Sequence, residues 1–261
     1  MDNHYLQELI DETIQRGGGL ILNYNDKPAV VVLTVEKYNQ LVSSSAYQPQ
    51  SESAIENQMT GKSLFMDPPK PKRKILVTGG AGYIGAHICR VLLKQGYEIV
   101  VLDNLSKGKK QNIPEEAVFI EGDLKDENLL RDIFSAHKFF AVMHLAAFIE
   151  VEESVREPEK YLENNAVNTA KLLAAMKEAG VNKIIFSSTA AVYGESDSLP
   201  ITEKTTVKPT NPYGSSKLLA EKIIKYYSQH TGLKAVIFRY FNACGYDFDG
   251  KIKPTHESHL I

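Results

Sequence analysis

From residue 74 onward, short apolar runs alternate with stretches whose apolar side chains recur every three or four positions. The runs at 75–78, 98–102, 117–121, 141–145, 183–187 and 234–238 predict strands. The stretches at 84–95, 128–137, 158–179 and 214–231 predict amphipathic helices between them. Gly96, Gly180 and Gly232 fall where helix C-termini favour a left-handed residue. Short apolar strands alternating with helices of this length predict an α/β fold with a doubly wound parallel sheet buried on both faces. No internal repeat is visible.

The first 45 residues follow a different rhythm. Leu6, Leu9, Ile10 and Ile14 have helical spacing, and Gly17-Gly18-Gly19 ends that pattern. Residues 20–22 and 29–33 read as two strands joined by a turn at 23–27, and a second helix is predicted from residue 34 or 35, carrying Tyr38 and Leu41. Between the two patterned regions the chain turns polar, then proline-rich at Asp67-Pro68-Pro69-Lys70-Pro71. Prolines at that density favour extended backbone, so 46–72 reads as a flexible linker with a short helix near 54–59. The predicted organisation is a small α+β module at 1–45, a linker at 46–72 and the α/β domain at 73–261.

Composition narrows the possibilities. With 43% hydrophobic and 24% charged residues among 261, the chain has the make-up of a globular domain rather than a disordered or fibrous one. A net charge of −2 makes no electrostatic case for nucleic acid or an anionic membrane. Residues 1–70 hold nine acidic and five basic side chains, so no basic footprint for a duplex is present there either. The N-terminus lacks the basic start and apolar stretch of a signal peptide, no apolar run reaches the ~18 residues of a membrane span, and the cytoplasm is the expected compartment. Cys89 and Cys244 form no disulfide framework and no metal knuckle; both are expected as buried small hydrophobes.

Two motifs carry chemistry. The first predicted strand runs into Thr78-Gly79-Gly80-Ala81-Gly82-Tyr83-Ile84-Gly85, which opens a helix. Side-chain-free turns in that context let backbone amides approach a pyrophosphate at the positive end of the helix. Asp103 ends the next strand, 18 residues beyond Gly85. A carboxylate there accepts hydrogen bonds from ribose hydroxyls and repels a 2′-phosphate, which favours NAD over NADP. Asp123, after the third strand, is placed to approach the adenine.

The second motif is Asn211-Pro212-Tyr213-Gly214-Ser215-Ser216-Lys217, which sets Tyr213 and Lys217 one helical turn apart. A tyrosine with a pKa of about 10 is a poor base at neutral pH, and a neighbouring ammonium is expected to stabilise its phenolate. Thr189, in the hydroxyl cluster Ser187-Ser188-Thr189, is placed to relay a proton between substrate and Tyr213.

These motifs, with Asp103-Asn104-Leu105-Ser106, His144-Leu145-Ala146-Ala147, Tyr161-Leu162-Glu163-Asn164-Asn165, Ala190-Ala191-Val192-Tyr193-Gly194 and Arg239-Tyr240-Phe241-Asn242, resemble the extended short-chain dehydrogenase/reductases. Within them the likeness is to the bacterial UDP-glucose 4-epimerases. The resemblance implies a Rossmann domain and makes Tyr213 the catalytic base, with Lys217 holding the nicotinamide ribose. Thr189 would bridge the sugar's 4-hydroxyl to Tyr213. Gly79, Gly82, Tyr83, Ile84, Gly85, Asp103, Asn104, Leu105, Ser106, Lys107, Gly108, Asp123, Leu124, Leu145, Ala146, Ala147, Phe148, Ile149, Asn164 and Phe241 would line the NAD site. Asn242 would face the UDP-sugar. The implied reaction oxidises C4 of UDP-glucose or UDP-galactose transiently and returns hydride to either face, an isomerisation of galactose metabolism.

Ala190-Ala191 stand where the sister dehydratases carry carboxylates, which favours epimerisation on chemical grounds as well. Other UDP-sugar 4-epimerases, acting on UDP-N-acetylglucosamine or UDP-glucuronate, are the alternatives. A different class is a non-catalytic NAD-binding protein with an interaction module. The family also implies a homodimer through helices 158–179 and 214–231.

Residues 1–45 resemble antitoxins of the Phd/YefM type, through Gly19-Leu20-Ile21-Leu22, Lys27-Pro28-Ala29-Val30-Val31-Val32-Leu33 and Glu36-Lys37-Tyr38-Asn39-Gln40-Leu41. That likeness implies a toxin-like partner. Family members continue for several dozen residues past the position of Ile261, through the last strand and most of a small domain that grips uridine diphosphate. The chain is therefore expected to bind NAD and to turn over UDP-galactose poorly or not at all.

Overall fold

The computed structural model describes the backbone of residues 19–24 and 27–33, together with residues 73–196, 200–243 and 252 in full. The chain divides into two units, residues 1–66 and 67–261. In the first, strands β1 (Gly19–Tyr24) and β2 (Lys27–Leu33) pair antiparallel, with Leu20 opposite Val32. Both strands run longer than their apolar cores suggest and take in part of the segment expected as a turn. The helices expected at 6–14, from 34 and at 54–59, the linker, and Cys244 lie outside the described residues.

In the second unit β3 (Lys74–Thr78), α1 (Tyr83–Lys94), β4 (Glu98–Asp103), β5 (Val118–Glu121), α2 (Glu127–Ala136) and β6 (Phe139–His144) come first. Then follow α3 (Val151–Arg156), α4 (Pro158–Leu162), α5 (Asn168–Glu178), β7 (Lys183–Thr189), α6 (Pro212–Thr231) and β8 (Lys234–Tyr240). The six strands form one sheet in the order β5-β4-β3-β6-β7-β8, every pair parallel. That order reverses between β3 and β6, and such a switch point leaves a crevice at the strands' carboxyl ends. β6 begins two residues before its expected start because Phe139 is itself buried, against Phe134 of α2.

Alternate side chains of the central strands feed two cores. Leu76, Val100, Leu102, Val142, Ile184 and Phe186 meet α2, α5 and α6, while Ile75, Val77, Ile99 and Val101 meet Cys89 of α1. Gly96, Gly180 and Gly232 adopt φ of +83°, +70° and +70°, as their helix-ending positions require.

The helix expected as one piece at 158–179 is divided. Residues Glu163–Val167 form a π-helical turn between α4 and α5. At this turn Asn165 points inward, and its side chain holds both the N–H and the C=O of Phe148 at 2.9 Å. Helix α3 was not anticipated, since its exposed Val151 and Val155 carry no core-facing period.

Candidate active site

A cleft of about 170 Å³ opens at the switch point. Its first wall is the glycine turn between β3 and α1. Gly79 has φ +75°, and a Cβ there would lie 2.5 Å from the Ala146 nitrogen; at Gly85 it would lie 2.2 Å from the Gly79 oxygen. Those two glycines are demanded by the protein's own packing. At Gly82 a Cβ would meet only the Gly79 oxygen, at 3.3 Å, and otherwise project toward the cleft. Gly82 is also the N-cap of α1 and offers no side chain to its amides, so the positive end of that helix faces the cavity. A cradle of this kind fits a dinucleotide's pyrophosphate.

Asp103 braces the turn. Its carboxylate accepts hydrogen bonds from the amides of Ala81 and Leu105, both at 2.9 Å, and lines the cleft. Burial pushes its carboxyl up, and the two amide bonds oppose that rise. Asn104 donates to Asp123 at 2.8 Å, which ties the ends of β4 and β5 together beside the cavity.

Behind the turn runs a chain of buried hydrogen bonds whose direction is set by donor accounting. The Thr169 hydroxyl donates to the Asn165 carbonyl at 2.7 Å, so it accepts from Nε2 of His144, at 2.9 Å. Nδ1 of His144 then accepts from the Thr78 hydroxyl at 2.7 Å, and Thr78 accepts from the Ala146 amide at 3.4 Å. Burial, with the nearby Lys217 charge, pushes His144 down to about 3, so it is neutral at physiological pH.

The opposite wall is the start of α6. Asn211 caps this helix through a 2.8 Å bond from the Gly214 amide, with Pro212 in its first turn, and this places Tyr213 at the mouth of the cleft. Thr189 ends β7 and accepts from the Ala191 amide at 3.1 Å, and its hydroxyl lies close enough to the Tyr213 phenol to oppose the rise that burial causes. Lys217 is 2% exposed, and its ammonium lies 4.3 Å from the centre of the Phe186 ring. Asn165 also donates to Ser216 at 3.0 Å, and Ser216 donates to the Tyr213 carbonyl at 2.8 Å, so the π turn grips the reacting helix.

The expected effect of Lys217 on Tyr213 is not what dominates. Burial pushes the Tyr213 phenol up, and the Thr189 hydroxyl only partly opposes it. Lys217 itself is pushed down by burial to about 7, the charge of Glu221 opposing. Taking both groups out of water costs more than their proximity returns.

Of the sequence-predicted cofactor residues, the cleft gathers Gly79, Gly82, Tyr83, Ile84, Gly85, Asp103, Asn104, Ser106, Lys107, Gly108, Asp123, Leu124, Leu145, Ala146, Ala147, Phe148, Ile149, Asn164, Tyr213 and Lys217. Leu105 is not among its walls: it takes a left-handed φ of 57°, and its amide is spent on Asp103. Phe241 lies elsewhere too, stacked on Tyr193 with ring centres 6.5 Å apart beside a second cavity of about 440 Å³. Asn242 is exposed and lines neither cavity. Both follow β8, at the sheet's far edge from β3. Sequence reasoning missed Leu102, Gly122 and Ser187 as cleft residues; the first two flank predicted site positions, and Ser187 belongs to the hydroxyl cluster already singled out. Among the described residues no group of His, Cys, Asp or Glu gathers to hold a metal ion, and no helix is long and apolar enough to cross a membrane.

A parallel sheet with a glycine cradle at its switch point, faced by a tyrosine and a lysine, defines a nucleotide-binding fold of the Rossmann class. Residues 75–261 match the model of the NAD dependent epimerase/dehydratase family, and the chain belongs to that family. It is 49% identical over 189 residues to the UDP-glucose 4-epimerase of Halalkalibacterium halodurans, an alignment covering 72% of this chain and 56% of the relative. It superposes on the crystal structure of UDP-glucose 4-epimerase from Brucella ovis in complex with NAD with a TM-score of 0.69 and 42% identity, covering 71% of this chain and 57% of that one. The UDP-Glc/GlcNAc 4-epimerase of Campylobacter jejuni matches with a TM-score of 0.63 and 47% identity, over 65% of this chain and 54% of its own. The chain thus spans a little over half the length of the relatives it matches.

Proposed function

We propose that residues 73–261 form the cofactor-binding and proton-transferring part of an NAD-dependent UDP-glucose 4-epimerase. The observation that carries this reading is that Tyr213 and Lys217, one helical turn apart, line the same cleft as the Gly82 cradle. Bound NAD⁺ would supply a hydride acceptor that each turnover regenerates. The chain's own residues have defined tasks. The amides around Gly82 hold the pyrophosphate, and Asp103 takes the adenosine ribose. Lys217 takes the nicotinamide ribose, and its ammonium stabilises the Tyr213 phenolate once an anionic oxygen forms. Tyr213, aided by Thr189, removes the proton from the sugar's 4-hydroxyl. The 4-keto sugar turns about its diphosphate, and Tyr213 returns the proton.

UDP-glucose and UDP-galactose are the proposed pair, on the strength of the relatives. The likeness to the Campylobacter jejuni enzyme supports UDP-N-acetylglucosamine as a second substrate. Mixed with NAD⁺ and UDP-galactose in a single-turnover assay, the chain is expected to form UDP-glucose. Tyr213→Phe should bind NADH equally well and react about 10²–10⁴ times more slowly. Equal rates for the two would overturn the assignment of the base.

Exposed apolar side chains on the two candidate dimer helices, Leu162 and Val167 on one and Leu219 and Tyr226 on the other, support a homodimer. The likeness of residues 1–45 to an antitoxin supports a toxin-like partner. The cytoplasm, where NAD and UDP-sugars are at hand, is the proposed compartment.

A further inference from the structure

One turn beyond Lys217 on α6 lies a carboxylate that the proposed reaction does not use. Glu221 is fully buried. Arg239 of β8 grips it with two parallel bonds, Nε to Oε1 at 2.9 Å and a terminal nitrogen to Oε2 at 2.7 Å. Ser188, next to Thr189 on β7, donates to Oε1 at 2.6 Å, and Lys225 stands 3.6 Å from Oε2. Arg239 continues to the Tyr193 hydroxyl at 2.9 Å. A single buried carboxylate therefore pins α6 to the ends of β7 and β8, the elements that carry Tyr213, Lys217 and Thr189.

The charges around Lys217 are few. On its own helix stand Tyr213, Glu221 and, through Glu221, Lys225. From β6 comes neutral His144, and from β8 comes Arg239, facing Glu221. Among the described groups Glu221 supplies the negative charge that acts on Lys217. Burying an ammonium without a counter-charge drives off its proton.

We propose that Glu221 is a positioning residue that keeps buried Lys217 in its ammonium form and holds α6 in register with Thr189, while Arg239 grips Glu221 and keeps it charged. Glu221 is suited to the task because it is ionised: burial pushes its carboxyl up, but the bonds from Arg239 and Ser188 and the charges of Arg239 and Lys225 outweigh burial and bring it below its usual value. The inference rests on the reading of Lys217 as a cofactor-binding lysine, since an ammonium donates to the ribose more strongly than a neutral amine and alone carries the charge that stabilises the phenolate.

The test follows the ¹³Cε resonance of Lys217, assigned with Lys217→Met, through a pH titration of the full chain without nucleotide, and then measures NADH affinity across the same pH range. Glu221→Gln keeps the shape and removes the charge. Its Lys217 titration should move to lower pH by about one unit, weakening NADH about tenfold at pH 7.5 and recovering as the pH is lowered. Arg239→Gln removes the bonds and the charge that hold the buried carboxylate ionised, and should lower the titration as well. Glu221→Asp keeps a carboxylate beside Arg239 and should leave the titration near its parent position. A fall in Glu221→Gln that Glu221→Asp rescues supports the proposal, because both variants loosen the same clamp and a purely structural role would move Lys217 alike in both. No fall in Glu221→Gln, or equal falls in the two Glu221 variants, overturns it. Should Glu221→Gln not fold, Arg239→Gln reads the same sign. Titrations that shift as stated while NADH binding is absent in every form would leave the electrostatics standing and sink the cofactor reading instead.

Discussion

The two walls of the cleft are built from different materials. The glycine turn relies on backbone amides and close approach, and its two buried titratable groups are handled quietly: Asp103 is satisfied by amides, and His144 is neutral within a directed chain of hydroxyls. The α6 wall relies on charge. Lys217, Glu221 and Arg239 are packed together with little water. Geometry defended by sterics is insensitive to pH but tolerates no added atom. A site defended by buried charges accepts small changes of shape but depends on every partner's ionisation.

The comparison can be broken most forcefully at the charged wall. Glu221→Leu strands Arg239 and should lower unfolding stability by about 3–5 kcal/mol, measured by urea melts. At the steric wall, Gly85→Ala places a methyl 2.2 Å from the Gly79 oxygen and 2.7 Å from the Gly80 Cα, both backbone. The expected loss is about 1–3 kcal/mol, with NADH binding abolished as the turn opens.

The smallest effect separates the walls by pH. His144 titrates near 3 in the folded chain and near 6.5 unfolded, so below pH 6.5 the unfolded chain binds the extra proton. Its contribution is whole above pH 6.5 and is lost as the pH falls toward 3. At pH 5.5 the loss is about 1.4 kcal/mol. His144→Gln should shrink the difference between melts at pH 7.5 and 5.5 by that amount, and an unchanged difference would show that burial does not hold the ring neutral. Lys217 works the other way for binding: the free chain gives up that proton near pH 7, so NADH affinity should fall as the pH rises above 7.

Much of this architecture was legible in the residues. The runs at 75–78, 98–102 and 183–187 became central strands, because a strand covered on both faces must be apolar throughout. The glycine turn and the Tyr213–Lys217 pair were readable since their function depends on local spacing. Other features were not. The division of the helix at 158–179 comes with a contact from Asn165 to Phe148, 17 positions away. Phe241 and Asn242, which the resemblance assigned to cofactor and sugar, do not line the cleft among the described residues.

The sequence by itself determined the alternation of strand and helix, the cradle at Gly79–Gly85 and the choice of tyrosine, lysine and threonine, because sterics, periodicity and helical pitch act over a few residues. Only the tertiary structure decided the charge state of those groups. Whether Lys217 keeps its proton depends on Glu221, whose ionisation depends on Arg239 of β8 and Ser188 of β7, and on how completely water is excluded from all of them. Burial and long-range pairing are properties of the packed molecule, and no window of sequence contains them.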